Sequence, residues 1–311
     1  MRILTIQTTG LFTQFDPITS AKMIRNAGFD GVDWNLDQSM PDKKLKEAIF
    51  PEEVIWEKSF EEIKAYYGKE LDAMQQYGLK PYQAHSPYPV YVKNHPEVFS
   101  RMVDVTKKCI QFCDMMGIPI LVVHGISLTF DDDTQTPQTV REMNLSLYES
   151  LIPTLLKTNV TVCLENLFTR YDERKLIVEG VCSDPNEAVW YIDRLNAKAG
   201  KKCFGACVDT GHLNILGKNP RTYINILGDR VMATHLHDNN GSDDSHLAPY
   251  TGNIIWRNVI QGLKETGYKG TLSFETFKQI QFSRTDPRMV GAWLKLIHDI
   301  GVEFSEMMDE Q

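Results

Sequence analysis

A (β/α)8 barrel is the fold this sequence predicts, on three observations. Short runs rich in β-branched residues recur eight times along the chain, longer amphipathic segments separate them, and the same helix-to-strand turn returns between them. At 311 residues, 42% of them hydrophobic and 24% charged, the chain can bury a core of that size, and it is expected to form a single domain over 1–311.

The strands are expected at 3–7, 31–35, 80–85, 120–124, 160–165, 203–209, 231–237 and 271–275, and helices at 17–27, 60–77, 96–116, 139–157, 184–199, 254–266 and 287–300. Ser183-Asp184-Pro185 and Asp286-Pro287 are good helix entries, each a capping side chain followed by proline in the first turn. Glycine closes the helices ahead of the next strand, as at Gly28 and Gly117, where a left-handed cap turns the chain back. A doubly wound sheet is the alternative with the same local pattern, because sequence alone does not show closure. No linker splits the chain, and the long irregular stretches 36–58, 168–182 and 239–253 each follow a strand, where barrels keep their active-site loops.

A net charge of −8 and the absence of a Lys/Arg run speak against nucleic acid as a partner. The N-terminus lacks the pattern of a signal peptide and no apolar stretch reaches bilayer length, so a cytoplasmic protein without membrane contact is expected. The six cysteines form no C-x-x-C pair and read as reduced; Cys203 and Cys207 fall on one strand face as small packing residues.

Successive strand residues point to opposite faces, so each strand separates into two sets. In 160–165 the set Thr161, Cys163, Glu165 opposes Val160, Val162, Leu164; in 203–209 the set Cys203, Gly205, Cys207, Asp209 opposes Phe204, Ala206, Val208. In 231–237 Ala233, His235 and His237 share a face, and in 271–275 Thr271, Ser273 and Glu275 do. The larger apolar set is expected to meet the helices, leaving the smaller, more polar one to line the barrel and end in Glu165, Asp209, His235 and Glu275. Asp33, His85 and His124 lie at the same level, and loops add His212, Asp244 and His246. Several carboxylates converging on one mouth repel one another unless a cation or shared protons offset them. A mixed oxygen and nitrogen donor set suits one divalent ion, Mn2+, Mg2+, Zn2+ or Co2+, without singling one out.

Thr161-Val-Cys-Leu-Glu165-Asn166, Val208-Asp209-Thr-Gly-His212, His235-Leu-His-Asp238-Asn239, Asp244-Ser-His246 and Ser273-Phe-Glu275-Thr276, in that order and at those strand ends, resemble the xylose isomerase-like barrels. That superfamily includes sugar-phosphate isomerases, ketohexose 3-epimerases, inosose dehydratases and endonuclease IV, and the likeness covers nearly the whole chain. It implies that Glu165, Asp209, His235 and Glu275 hold one catalytic divalent metal, with His237 open as an alternative to His235. It further implies a sugar or sugar-phosphate isomerase or epimerase in which Glu165 and Glu275 are the acid/base pair and the metal stabilises an enediolate. His85, His124, Asn166, His212, His237, Asp244 and His246 are then expected around a small carbohydrate substrate.

Two other chemistries share this set. A dehydratase or lyase on a cyclitol or keto acid uses the same proton abstraction and expels hydroxide. An endonuclease IV-like zinc phosphodiesterase uses residues matching His85, His124, Glu165, Asp209, His212, His235, Asp244, His246 and Glu275, all present, but the loops carry acidic runs such as 131–133 where basic ones would track phosphates. Trp34, Tyr88, Phe168 and Trp256 are candidates to stack on a sugar, and Arg170 and Arg174 to grip an anion. Outer helices of barrels often pair, making a homodimer a candidate assembly.

Overall fold

The computed structural model describes residues 2–127, 136–171, 176–281 and 286–310. In chain order its elements are β1 (Leu4–Gln7), α1 (Pro17–Ala27), β2 (Gly31–Asn35), α2 (Asp42–Leu45), α3 (Phe60–Tyr66), α4 (Gly68–Gln76), β3 (Lys80–His85), α5 (Pro96–Met116), β4 (Ile120–Val123) and α6 (Pro137–Leu155). There follow β5 (Thr161–Glu165), β6 (Phe168–Tyr171), β7 (Leu176–Glu179), α7 (Pro185–Ala199), β8 (Phe204–Asp209), α8 (Thr210–Ile215), α9 (Pro220–Leu227), β9 (Val231–His235), α10 (Trp256–Glu265), β10 (Leu272–Phe274), α11 (Phe277–Gln281) and α12 (Pro287–Asp309).

Eight of these strands form one parallel sheet in the order β10-β1-β2-β3-β4-β5-β8-β9. The ends meet just past β9, where the Leu236 amide donates to the Ser273 carbonyl at 2.8 Å and the Glu275 amide donates to the Leu236 carbonyl at 3.1 Å. The sheet thus curls into the (β/α)8 barrel that the sequence predicts, and the doubly wound alternative falls away. The two faces divide as the alternation requires. Val122, Cys163, Cys207 and Ala233 make a small cluster in the lumen, while Val162, Leu164, Phe204, Ala206 and Val208 join the large core beneath the helices. All six cysteines are free and buried. No helix among the described residues is long and apolar enough to cross a membrane.

The structure departs from the sequence reading at several elements, the unexpected helices α2, α9 and α11 among them. The expected helix 60–77 is two helices, because the chain leaves helical geometry at Tyr67, whose ring wedges against Trp34, Trp56 and Phe112 at 5.1–5.9 Å, and restarts at Gly68. Part of the irregular stretch 168–182 is an antiparallel hairpin, β6 with β7, pairing Phe168 with Glu179 and Tyr171 with Leu176. Asp209 ends β8 and at once caps α8, its carboxylate accepting the His212 amide at 2.7 Å. The last helix runs on to Asp309. Asp131, Asp132, Asp133, Arg174 and the Arg170 side chain lie outside the described residues.

Candidate active site

The carboxylates and imidazoles singled out from the sequence converge at the C-terminal ends of the strands, except Asp33, which lies buried in the lumen two residues before the end of β2. Glu165 ends β5, Asp209 ends β8, His235 ends β9, and Glu275 follows β10. One donor atom from each of these four lies within 4.8 Å of all the others. His235 Nδ1 is 3.4 Å from Glu165 Oε2 and 3.2 Å from Glu275 Oε2. Ligands held about 2.0–2.2 Å from a divalent ion sit roughly 3.0–3.6 Å from one another, the spacing of these two pairs. Moreover His235 Nδ1 is buried and makes no hydrogen bond. A buried imidazole nitrogen left without a partner, facing two carboxylates at ligand spacing, fits a divalent ion.

Other histidines surround this group. His124 Nε2 is 3.1 Å from Glu165 Oε2 and 3.0 Å from His85 Nε2. His85, His212 and His246 each direct Nδ1 to a backbone carbonyl, those of Ser86, Asn166 and Glu275, at 2.8–3.0 Å. A ring whose Nδ1–H is donated this way turns Nε2 toward the mouth. His246 Nε2 meets Asp244 Oδ2 at 2.7 Å, and His246 itself sits at φ +41°, a left-handed backbone costly for a residue other than glycine. His237 Nε2 lies 2.9 Å from Asp209 Oδ2, with its ring stacked on His246 at 4.1 Å. Of the two histidines in the His-x-His motif, it is therefore His235 that stands among Glu165 and Glu275, while His237 lies behind Asp209.

The electrostatics follow from so many charges in a dry place. Burial alone raises the Glu165 carboxyl, but the His235 and His124 imidazoles overcome it and hold it well below the usual carboxylate range. Burial is likewise overcome at Asp209 by His212 and His237, and at Asp244 by His246 and His212. Desolvation opposes the charged form of His212 and His235, yet their carboxylate neighbours, and for His235 the Cys207 sulfur as well, push both well above the ordinary imidazole value. His124, by contrast, is held below it by burial.

Over this group opens a cavity of about 630 Å³ lined by Glu165, Glu275, His85, His124, His212, Asp244 and His246. Asp209, His235 and His237 lie beneath its floor, fully buried. Asn166, expected on substrate, is instead turned to the backbone of the next barrel strand. Its carboxamide donates to the Asp209 carbonyl and accepts from the Asp209 amide, both at 2.9 Å, which uses both ends of the group and ties β5 to β8. Tyr88 and Phe168 do line the cavity, whereas Trp34 and Trp256 are core residues.

The sequence reading passed over Gln7, Thr9, Asn35, Asp37 and Phe277, which also line the cavity. Gln7 donates to Glu275 Oε1 at 2.7 Å and so holds that carboxylate with its other oxygen toward His235. Reading β1 by alternation, with Thr5 and Gln7 inward, would have found it. Burial pushes the Asp37 carboxyl up to about 6 against the pull of His85; it sits in a loop where no periodicity marks it.

Comparison with known proteins agrees with this architecture. A family model described as xylose isomerase-like TIM barrel matches residues 21–295. An uncharacterised protein of Sinorhizobium fredii is 25% identical over 271 residues, 83% of this chain and 80% of its own. D-psicose 3-epimerase of Enterocloster bolteae is 24% identical over 242 residues, covering 76% of this chain and 72% of that one. The crystal structure of D-psicose 3-epimerase with D-tagatose from Clostridium cellulolyticum H10 superposes with a TM-score of 0.68 at 14% identity, over 98% of this chain and 99% of that one.

Proposed function

The chain belongs to the xylose isomerase-like TIM barrel family, and on that premise we propose that it is a divalent-metal-dependent epimerase or isomerase of a small ketose. The observation that carries this reading is the grouping of Glu165, Asp209, His235 and Glu275, donor atoms within 4.8 Å, at the floor of a closed barrel's cavity. Its relatives named as sugar 3-epimerases support the substrate class. A bound divalent ion would polarise neighbouring oxygens of the sugar and so acidify the carbon between them.

The residues do the rest. Glu165, kept ionised by His235 and His124, is ready to take a proton from a substrate carbon within reach of the cavity floor. Glu275, held by Gln7 on one oxygen, is the second carboxyl that can return a proton to the other face. His212 and His246 project Nε2 toward the cavity, where each can hold a substrate hydroxyl, and Phe168 and Tyr88 supply aromatic walls. Reprotonation on the opposite face gives an epimer. Loss of hydroxide from the same intermediate gives the dehydratase outcome, which an unsaturated or deoxygenated product would reveal.

A second reading is favoured by a specific observation. His85, His124 and Glu165 form a further donor group, as do His237, Asp244 and His246, so the mouth can accept more than one ion, as a phosphodiesterase would require.

Metal content and turnover separate these. One ion per chain, with solvent deuterium entering a ketohexose beside its carbonyl and both losses in Glu165→Gln, is the expected result. Two or three zinc ions with cleavage of abasic DNA and no exchange into any ketose or cyclitol would replace this reading with the phosphodiesterase, and no ion under non-chelating conditions would remove both.

A further inference from the structure

Behind the donor group lies a buried carboxylate that touches neither the cavity nor, in the reading above, the substrate. Asp33, on β2, is fully buried, and its Oδ2 collects three neighbours. Gln83 Nε2 donates to it at 2.7 Å, Ser273 Oγ donates at 3.3 Å, and His235 Nε2 stands 3.1 Å away. Gln83 is itself held by the Thr271 hydroxyl at 3.3 Å and donates weakly to the Thr234 carbonyl at 3.4 Å. The network spans the barrel lumen from β2 and β3 to β9 and β10. Asp33 Oδ1 makes no hydrogen bond, so its pull on His235 passes through Oδ2 alone.

His235, like His237 on Asp209, is oriented oppositely to the other histidines of the mouth. His85, His212 and His246 give Nδ1 to a backbone carbonyl and present Nε2. His235 gives Nε2 to Asp33 and presents Nδ1, which is buried, without a hydrogen bond, and at 3.2–3.4 Å from Glu275 and Glu165. A carboxylate accepting one ring N–H leaves the lone pair on the other nitrogen and makes it more basic.

We propose that Asp33 is the positioning residue of this site: it holds His235 as the tautomer protonated at Nε2, so that His235 binds a divalent ion through Nδ1. This rests on the metal reading above, and it names which nitrogen and which buried partner serve it. Without Asp33 the Nε2 proton loses its acceptor, and the ring is free to rotate Nδ1 away from Glu165 and Glu275.

The test uses the full chain loaded with zinc and labelled with 15N-histidine. Long-range proton–nitrogen correlation should show His235 with a metal-shifted Nδ1 and a proton-bearing Nε2. Titration calorimetry with zinc should give an affinity about 10–100-fold weaker for Asp33→Ala, and a smaller loss for Asp33→Asn, whose carbonyl oxygen still accepts from Nε2. Thermal unfolding of the metal-free variants checks that they fold. A zinc-bound Nε2, or an unchanged affinity in folded Asp33→Ala, would overturn the proposal while leaving the metal reading in place. A wild-type chain that binds no zinc would remove both. If Asp33→Ala does not fold, the wild-type nitrogen assignment decides alone.

Discussion

At the scale of single residues, the Asp209-Thr-Gly-His212 motif shows how little freedom the site allows. Asp209 caps α8 while facing the donor group, and the Thr210 hydroxyl donates to the His237 carbonyl at 2.8 Å and accepts the His237 amide at 3.1 Å. Gly211 is glycine for a steric reason, since a Cβ there would stand 1.9 Å from His237 Cε1. Gly211→Ala must displace that buried ring, which costs on the order of 1–3 kcal/mol as overpacking. Urea unfolding should register that loss together with weaker metal binding; a variant as stable as wild type with full affinity would refute the steric argument. Asp209 was legible in the sequence because alternation along β8 assigns its face and the strand end its level, and His212 by its spacing from Asp209 in the turn that follows. The roles of Asn166 and Asp33 were not, because each is decided by a partner on another strand, 43 residues away for Asn166 and 202 for Asp33.

At the scale of elements, four of the twelve described helices, α2, α8, α9 and α11, and two of the ten described strands, β6 and β7, went unread in the sequence, and all are eight residues long or shorter. The hairpin β6–β7 and the short helices α8 and α11 are too brief for a periodic signal to rise above their loops, whereas β2 and β3, and helices α1 and α5, have the bounds that periodicity and capping predict. The α3–α4 break turns on packing. Beside it, Glu70 on α4 accepts the Trp34 indole N–H at 2.6 Å, and burial pushes its carboxyl up to about 7 against that pull. An unfolded chain would release this proton near the ordinary value of 4.5. Between the two values the folded state binds more protons, so this contribution to stability is full below about pH 4.5 and is lost as pH rises through about 7. Glu70→Gln keeps an oxygen for Trp34 and carries no charge. It should gain about 2 kcal/mol on wild type at pH 8 and nothing at pH 4.5. Urea unfolding of both proteins across that range checks this, and a difference that does not vary with pH would refute it.

At the scale of the whole molecule, the barrel gathers six of the chain's eight histidines and several buried carboxylates at one end of a protein whose net charge is −8. Folding must desolvate all of them together. Without a cation, the carboxylates are balanced by protons held on His85, His212, His235 and His246, each raised by its acidic neighbours against burial. A divalent ion bound by the folded site and not by the unfolded chain therefore adds stability by mass action, about 4 kcal/mol when free metal is a thousandfold above its dissociation constant. A chain of this length unfolds with an entropy of roughly 0.65 kcal/mol per kelvin, so that increment moves the midpoint by about 6 °C. Adding a chelator to the metal-loaded protein should lower Tm by that amount, and restoring Mn2+, Co2+ or Zn2+ in excess should return it. In Glu165→Gln the shift should shrink, because Glu165 belongs to the four-donor group and its amide supplies no negative charge. A Tm indifferent to both chelator and metal would mean that the carboxylates at the barrel mouth are neutralised by protons alone.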